Sequence, residues 1–184
     1  RMCKMEDLEG VAEFSLKLSS YYQYITRSGA DIVPLKMEVE HARNYLIISK
    51  IRYHDGFSFD VAVHPDVREC KTVKLIIQPL VENCLVHAIK KSGAGGHVSI
   101  RAFPRGDDVV IEVQDNGRGI PPDRLEELRA LLAKKQKGDG YDGGIGLMNV
   151  QQRIRLNYGM EYGLAIDSAP GEGTTVRITI PRVQ

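Results

Sequence analysis

The residue types best suited to chemistry begin at Asp115, which directly follows the apolar residues 109–113. An apolar run of this length is typical of a buried strand, so the carboxylate would stand at a strand end. Gly117 and Gly119 come next, and a backbone without Cβ atoms allows a flat ligand to approach the main chain closely. A carboxylate only accepts hydrogen bonds, so it matches the exocyclic amine of adenine. Guanine presents an oxygen there, and the resulting repulsion would discriminate against it.

Glu82 and Asn83 are adjacent polar residues inside the apolar segment 78–87, which we predict to be helical. Burying such residues without partners is costly. The amide oxygen of Asn83 is the kind of hard ligand that Mg²⁺ takes beside phosphate oxygens and water. Glu82 could orient or deprotonate a nucleophile, and His87 lies one turn after Asn83 on the same face. The alternative interpretation is a helix whose polar face is merely solvated.

Two glycine-rich turns follow later in the chain. Residues 143–146 precede a predicted helix that begins at Leu147, and a helix N-terminus offers free N–H groups and a positive dipole end to a phosphate. Residues 171–174 precede the last predicted strand, where the hydroxyl of Thr174 could help Asp115 to hold a base. Either run could also be an ordinary turn. The sequence contains neither a GxxxxGK[ST] nor a GxGxxG motif, which excludes a P-loop and a Rossmann site.

Hydrophobic periodicity predicts the elements that position these residues. Two amphipathic helices, from about Glu6 to Arg27 and after Pro34 to about Tyr53, form an αα-hairpin that either covers a domain face or contributes part of its seam to a dimer. Further helices are predicted near residues 71–91, 125–132 and 147–158, and Pro79 implies a kink or a late start in the first. Strands are predicted at 57–63, 97–103, 109–114, 164–169 and 174–180. We therefore expect an α/β fold in which helices pack against a mixed sheet.

Composition is that of an ordinary globular domain. The chain has 184 residues, 42% hydrophobic and 27% charged, and its net charge of +1 offers no reason to expect nucleic acid as a partner. The three cysteines form no CxxC pair and no even framework, which favours a reducing, cytosolic setting without a zinc site. There is neither a signal peptide nor an apolar run long enough to span a bilayer. Because the first residue is Arg1 and not methionine, we expect either a piece of a longer protein or a processed or trimmed chain.

Taken together and in this order, the motifs resemble those of the Bergerat-fold ATPases shared by gyrase, MutL and the sensor histidine kinases. Asn83 matches the N box of that superfamily, and the aspartate and two glycines at 115–119 match its G1 box. Gly144 and Gly146 match its G2 box, and residues 171–174 match its last glycine-rich motif. Three longer runs are similar to the LytS/YesM-type sensor histidine kinases of bacteria: residues 40–46, 78–83 and 146–153.

The resemblance implies a mixed sheet with helices on one face and ATP bound with Mg²⁺ under a mobile lid, here residues 121–142. It implies Glu82 and Asn83 as catalytic residues, with Asn83 also the metal ligand. The nucleotide-binding residues it implies are Asn83, His87, Asp115, Gly117, Gly119, Ile120, Gly144, Gly146, Leu147 and Thr174. It divides the chain into residues 1–53, the trailing part of a dimerisation and phosphotransfer region, and residues 54–184, the ATP-binding catalytic domain.

Two positions depart from the family pattern. Val86 stands where a lysine often precedes the N-box histidine, and none of the five histidines has the Pro-His-Phe-Leu context of the family's phosphoacceptor. We interpret His41 as a surface or packing residue and expect the acceptor on an upstream segment of the same protein. The resemblance further implies a response regulator as partner, a homodimer, and a cytoplasmic domain of an integral membrane protein. The alternatives are a nucleotide-sensing pseudokinase and a stand-alone serine kinase or ATPase of the same superfamily.

Overall fold

The computed structural model describes residues 8–26, 31–53, 56–92, 95–134 and 145–183. The helices in these ranges are α1 (Leu8–Thr26), α2 (Leu35–Arg52), α3 (Gln78–Ser92), α4 (Pro122–Ala133) and α5 (Ile145–Tyr158). The strands are β1 (Ile32–Pro34), β2 (Phe57–Val63), β3 (Lys71–Val73), β4 (Gly96–Arg105), β5 (Asp108–Asp115), β6 (Gly163–Ala169) and β7 (Gly173–Pro181). Not one of the helices so described combines the length and the apolar character needed to cross a bilayer.

A mixed five-stranded sheet has the order β2-β4-β5-β7-β6, and β1 pairs separately with β3. The strands β2 and β4 are parallel, and every other neighbouring pair in the large sheet is antiparallel. The central strand β5 ends at Asp115, which lies opposite Val98 of β4 and Thr174 of β7. The register therefore holds the Asp115 backbone between two neighbouring strands.

The helices cover one face of this sheet, because apolar side chains that point to that face alternate along the strands with side chains that point away from it. On β5, Val109, Ile111 and Val113 enter the main hydrophobic core, since alternate side chains of a strand point to the same face. On the opposite face, Glu112 of β5 forms a 2.6 Å ion pair with Arg177 of β7. The helices α2, α3 and α5 complete the core, with buried contributions from Leu35, Val39, Leu46, Leu80, Val81, Leu85, Val150 and Ile154. The predicted α/β fold is confirmed.

The helical hairpin is confirmed, and its two helices differ in what they bury. The predicted seam of α2 lies in the core of the domain, where Leu35, Val39, Ala42 and Leu46 are buried. The predicted seam of α1 remains accessible, with Val11 37%, Tyr22 57% and Ile25 37% exposed. The helix α2 therefore covers a face of the domain, whereas α1 rests on α2 through a different side.

The prediction of a helix over residues 71–91 is wrong for residues 71–77. Residues 71–73 pair with β1 as the short strand β3, and the helix begins only at Gln78. Leu75 has a φ of +58°, in the left-handed region, which is incompatible with a continuous α-helix. Pro79 lies in the first turn of α3, where its missing N–H costs nothing. Of the two effects predicted from this proline, the late start is the one observed.

Candidate nucleotide site

Asp115 is a buried acceptor at the end of β5, with only 2% of the residue exposed. Its Oδ1 accepts a 2.7 Å hydrogen bond from the N–H of Gly117, which closes the turn after the strand. On the helical side, Cys84 of α3 makes a side-chain hydrogen bond to the same carboxylate. Burial raises the pKa of the Cys84 thiol, and the nearby charge of Asp115 raises it further, so the thiol stays protonated and donates.

Two glycines bring separate backbone segments together around Asp115. A Cβ built on Gly173 would lie 1.9 Å from the backbone oxygen of Asp115, and a Cβ on Gly119 would lie 1.9 Å from that of Ala169. Their φ angles of +94° and +68° are also in the left-handed region that favours glycine. At both positions the missing Cβ makes room for the protein's own backbone. The sequence indicated that a flat ligand approaches the main chain at Gly119, but the backbone of Ala169 takes the space of the missing Cβ, so this turn is joined to the hairpin between β6 and β7.

Thr174 lies directly across from Asp115, so the two side chains share one face of the sheet. Ser168 of β6 organises this corner: its Oγ accepts a 2.9 Å bond from the N–H of Ile120 and donates a 2.7 Å bond to the oxygen of Gly173. The Oγ1 of Thr174 lies 3.0 Å from the same oxygen of Ser168. Because the Ser168 proton is already directed to Gly173, Thr174 donates in this pair and keeps its acceptor lone pairs beside Asp115.

The adjacent residues Glu82 and Asn83 have different surroundings. Glu82 is partly buried, and its Oε1 accepts a 2.6 Å bond from Nε2 of Gln78, one turn earlier on α3. Asn83 is exposed, as is Val86, the residue that departs from the family pattern. Successive residues of an α-helix are rotated by about 100°, so the two predicted catalytic side chains cannot occupy the same face. The carboxylate is turned toward α1 and α2, whereas the amide is open to solvent.

The helix α3 also connects the base end of the site to the start of α5. Cys84 contacts Asp115, and Pro79 adjoins Gly146, whose Cβ would lie 3.8 Å from the Pro79 Cβ. These two points are five residues apart, which corresponds to about 7–8 Å along a helix. Leu147 packs partly against the core next to Gly146. A ligand with a base at Asp115 and phosphates at the N-terminus of α5 would therefore run along α3.

Several predicted features lie outside the residues that the structure describes. These are Gly144, the side chain of His87, and residues 135–142 of the predicted lid. The helix α4 occupies the earlier part of the same segment, where a short helix was predicted. A cavity of about 490 Å³ opens elsewhere, between α4, α5 and β6, and its lining includes neither Asp115 nor Glu82. We therefore do not assign this cavity to the nucleotide.

Three residues of the site had no individual role in the sequence interpretation. Cys84 and Gln78 lie within the N-box run, but the run does not say which neighbour each would contact. Ser168 belongs to no motif, and its role is evident only from the register of β6 against β7. A small apolar or hydroxyl residue close to a strand end is too common to indicate such a role.

Comparison with known proteins places the chain in a family. The model for histidine kinase-, DNA gyrase B- and HSP90-like ATPases matches residues 72–184, and a histidine kinase model matches residues 1–57. The chain belongs to this ATPase family, and within it to the histidine kinase type. Sensor protein LytS of Bacillus anthracis is 29% identical over 96% of this chain, and the sensor histidine kinase YesM of Bacillus subtilis is 33% identical over 82%. The chain spans only 29% and 24% of these two proteins.

Solved structures confirm the fold. The catalytic domain of histidine kinase ThkA, in a nucleotide-free form, superposes with a TM-score of 0.56 at 14% identity, covering 83% of this chain and 95% of that one. A histidine kinase domain from a blue-light-activated kinase of Erythrobacter litoralis gives a TM-score of 0.57 at 19% identity, covering 97% and 82%. The mixed sheet with its helical layer is therefore the histidine kinase catalytic fold.

Proposed function

We propose that this chain is the catalytic domain of a LytS/YesM-like sensor kinase that binds ATP with Mg²⁺ and transfers the γ-phosphate to a histidine of the same protein. The observation that carries the proposal is the buried carboxylate of Asp115, which is held by Gly117 and Cys84 and faces Thr174. Family membership adds the expectation of ATP as the nucleotide. An oriented acceptor of this kind selects an adenine amine.

Each proposed residue has a defined task. Asp115 and Thr174 hold the base, and the N–H groups at the start of α5 hold the phosphates. The exposed amide of Asn83 is a hard oxygen donor and fits Mg²⁺, which would supply charge neutralisation for phosphoryl transfer. Glu82 would orient the acceptor imidazole or take its proton. The remaining positions that we propose to line the nucleotide are His87, Gly117, Gly119, Ile120, Gly144, Gly146 and Leu147.

The whole protein would use this domain in two-component signalling. Residues 1–53 would be the trailing part of a dimerisation and phosphotransfer region, and residues 54–184 the ATP-binding domain. Relatives named as sensor proteins support a response regulator as the next acceptor, a homodimer, and a membrane-bound protein with this domain in the cytoplasm. The acceptor would be a histidine in a Pro-His-Phe-Leu context, which none of the five histidines here has.

The test supplies that acceptor separately. The chain is incubated with radiolabelled ATP and Mg²⁺, with and without a peptide helix carrying the Pro-His-Phe-Leu histidine, and then washed with acid. We expect acid-labile label on the helix alone, because phosphoryl transfer needs a donor and an acceptor in contact. Acid-labile label on the chain by itself would instead identify one of its own histidines. Acid-stable label would identify a serine or threonine kinase, and ATP binding without any label would identify a pseudokinase.

The metal assignment is tested by Asn83→Ala, with Asn157→Ala as the matched control on the exposed surface of α5. ATP affinity is measured by calorimetry with and without Mg²⁺. The first variant should lose most of the tightening that Mg²⁺ causes in the parent, and the control should keep it. A parental response to Mg²⁺ in Asn83→Ala would place the metal on other residues.

A further inference from the structure

A single side-chain amide joins the upstream helix α1 to Glu82. The Nε2 of Gln78 lies 2.6 Å from Oε1 of Glu82 and 2.7 Å from the hydroxyl oxygen of Tyr21 on α1. The Oε1 of the same amide lies 2.5 Å from Nε2 of His41 on α2. Gln78 therefore contacts three helices at once, and one of its partners is the carboxylate to which we assign a role in phosphoryl transfer.

The chemistry of the partners determines how this amide is oriented. A carboxylate has no proton to donate, so the NH₂ group of Gln78 must face Glu82, and its second N–H serves Tyr21. The amide oxygen must then accept, which makes His41 the donor through Nε2–H. Burial lowers the pKa of His41, which agrees with a neutral ring. Within the described ranges its buried Nδ1 has no hydrogen-bond partner, as expected for the nitrogen without a proton.

Aromatic packing fixes the residues that hold Gln78. The ring of Tyr21 stacks on His41 with centroids 4.8 Å apart and an angle of 11°, and Tyr24 stacks on it at 4.4 Å and 27°. Two rings cannot both stack on one face of an imidazole, so the histidine lies between two tyrosines of α1. The prediction that His41 is a packing residue is confirmed. The orientation of the His41 ring therefore depends on α1, and so does the hydrogen bond from its Nε2–H to Gln78.

A second contact ties α1 to the start of α3. The buried carboxylate of Glu38 on α2 accepts hydrogen bonds from the backbone N–H groups of Leu75, Ile76 and Ile77 at 2.6, 3.0 and 3.3 Å. The hydroxyl of Tyr24 donates to the same carboxylate. The last turns of α1 therefore reach the loop that leads into α3 through Glu38, and they contact the side chain that holds Glu82 directly.

We propose that Gln78 is a positioning residue for Glu82, and that Tyr21 makes this positioning depend on the docking of α1. The proposal rests on the role of Glu82 in the function proposed above. A glutamate has three rotatable side-chain bonds, so a charge-assisted hydrogen bond is needed to keep its carboxylate in one place. If α1 moves away, Gln78 loses Tyr21, and His41 on α2 loses the two rings that orient it, so neither partner fixes the amide that holds Glu82.

The test compares the rate of transfer to the supplied acceptor helix at saturating ATP with the affinity for ATP. Gln78→Met keeps the length of the side chain and removes its hydrogen bonds, and Tyr21→Phe removes only the hydroxyl. We expect the first to slow transfer about tenfold or more and the second several-fold, while the dissociation constant for ATP stays within about twofold. Tyr22→Phe, on the exposed neighbour of Tyr21, is the matched control and should transfer at the parental rate.

A spectroscopic measurement separates the network from the chemistry. In ¹⁵N spectra of the histidine rings, His41 should show a neutral ring with a slowly exchanging Nε2 proton, and Gln78→Met should lose that protection. If Glu82→Gln slows transfer but Gln78→Met does not, the positioning role is refuted and the proposed function stands. If Glu82→Gln itself transfers at the parental rate, the role of Glu82 fails, and this proposal fails with it. Parental protection of His41 in Gln78→Met would refute the described contacts.

Discussion

Alanine at Gly173 should displace Asp115, whereas alanine at Gly171 should not. Gly173 is the first residue of β7 and Gly171 lies in the turn just before it, and their φ angles are similar, +94° and +88°. A Cβ at Gly173 would lie 1.9 Å from the backbone oxygen of Asp115, and a Cβ at Gly171 would meet nothing within 4 Å. The pair therefore shares the strain of a left-handed residue and differs only in the collision with the residue that we propose to read the base.

The expected magnitudes follow from these two terms. A non-glycine residue in the left-handed region costs about 1–2 kcal/mol, and this cost should appear in both variants. Relieving a contact of 1.9 Å requires β5 and β7 to separate by more than about 1 Å, since ordinary carbon contacts are about 3.5 Å. Overpacking of this kind costs about 1–3 kcal/mol more. The free energy of unfolding should therefore fall by about 1–2 kcal/mol in Gly171→Ala and about 2–5 kcal/mol in Gly173→Ala.

The assay measures unfolding in urea by tyrosine fluorescence, followed by calorimetry with ATP at a temperature where both variants are folded. A shift of Asp115 by about 1 Å should weaken or break the hydrogen bond to adenine, and a loss of about 1.4 kcal/mol is a tenfold loss of affinity. Gly171→Ala should bind ATP as the parent does. Equal stability losses in both variants, together with parental ATP affinity in Gly173→Ala, would refute the close approach of β7 to Asp115.

Three further perturbations test the site and its support. Asp115→Asn should weaken ATP binding at least about tenfold and reduce the preference for ATP over GTP, because an amide can present an N–H toward the adenine amine; unchanged calorimetric affinities would remove Asp115 from the site. Glu38→Gln places a donor group among three backbone N–H groups. The free energy of unfolding measured in urea should therefore fall by about 2–4 kcal/mol, and a loss below about 0.5 kcal/mol would contradict the described contacts. Burial lowers the pKa of His41 in the folded chain. As the pH falls below about 6.5, the unfolded chain therefore binds more protons than the folded chain does, and the free energy of unfolding decreases until the folded pKa is passed. His41→Gln keeps a donor for Gln78, and its melting temperature should therefore fall less between pH 8 and pH 5 than that of the parent. A fall equal to that of the parent would show that other groups cause the pH dependence.

The sequence by itself determined most of the longer helices and strands and where the motifs stand on them. The alternation of residues 57–63, the apolar run at 109–113 and the helical periodicity after Pro34 depend only on neighbouring residues, and the structure confirms the element predicted from each of them. The N box, the G1 box and the terminal glycine motif also identified the ATPase family, because their order along the chain is read without coordinates. The role of each site residue remains a proposal that these experiments address.

Only the tertiary structure decided which partners meet. The strands β1 and β3 are three residues each and are stabilised by pairing with one another across a long separation in sequence, so no local pattern indicates them. The contact of Cys84 with Asp115 and the contacts of Gln78 with Tyr21 and His41 likewise join residues from different elements. Whether a polar side chain faces solvent, a ligand or another helix depends on where those elements pack. For this reason the sequence could name Glu82, and only the fold shows what holds it.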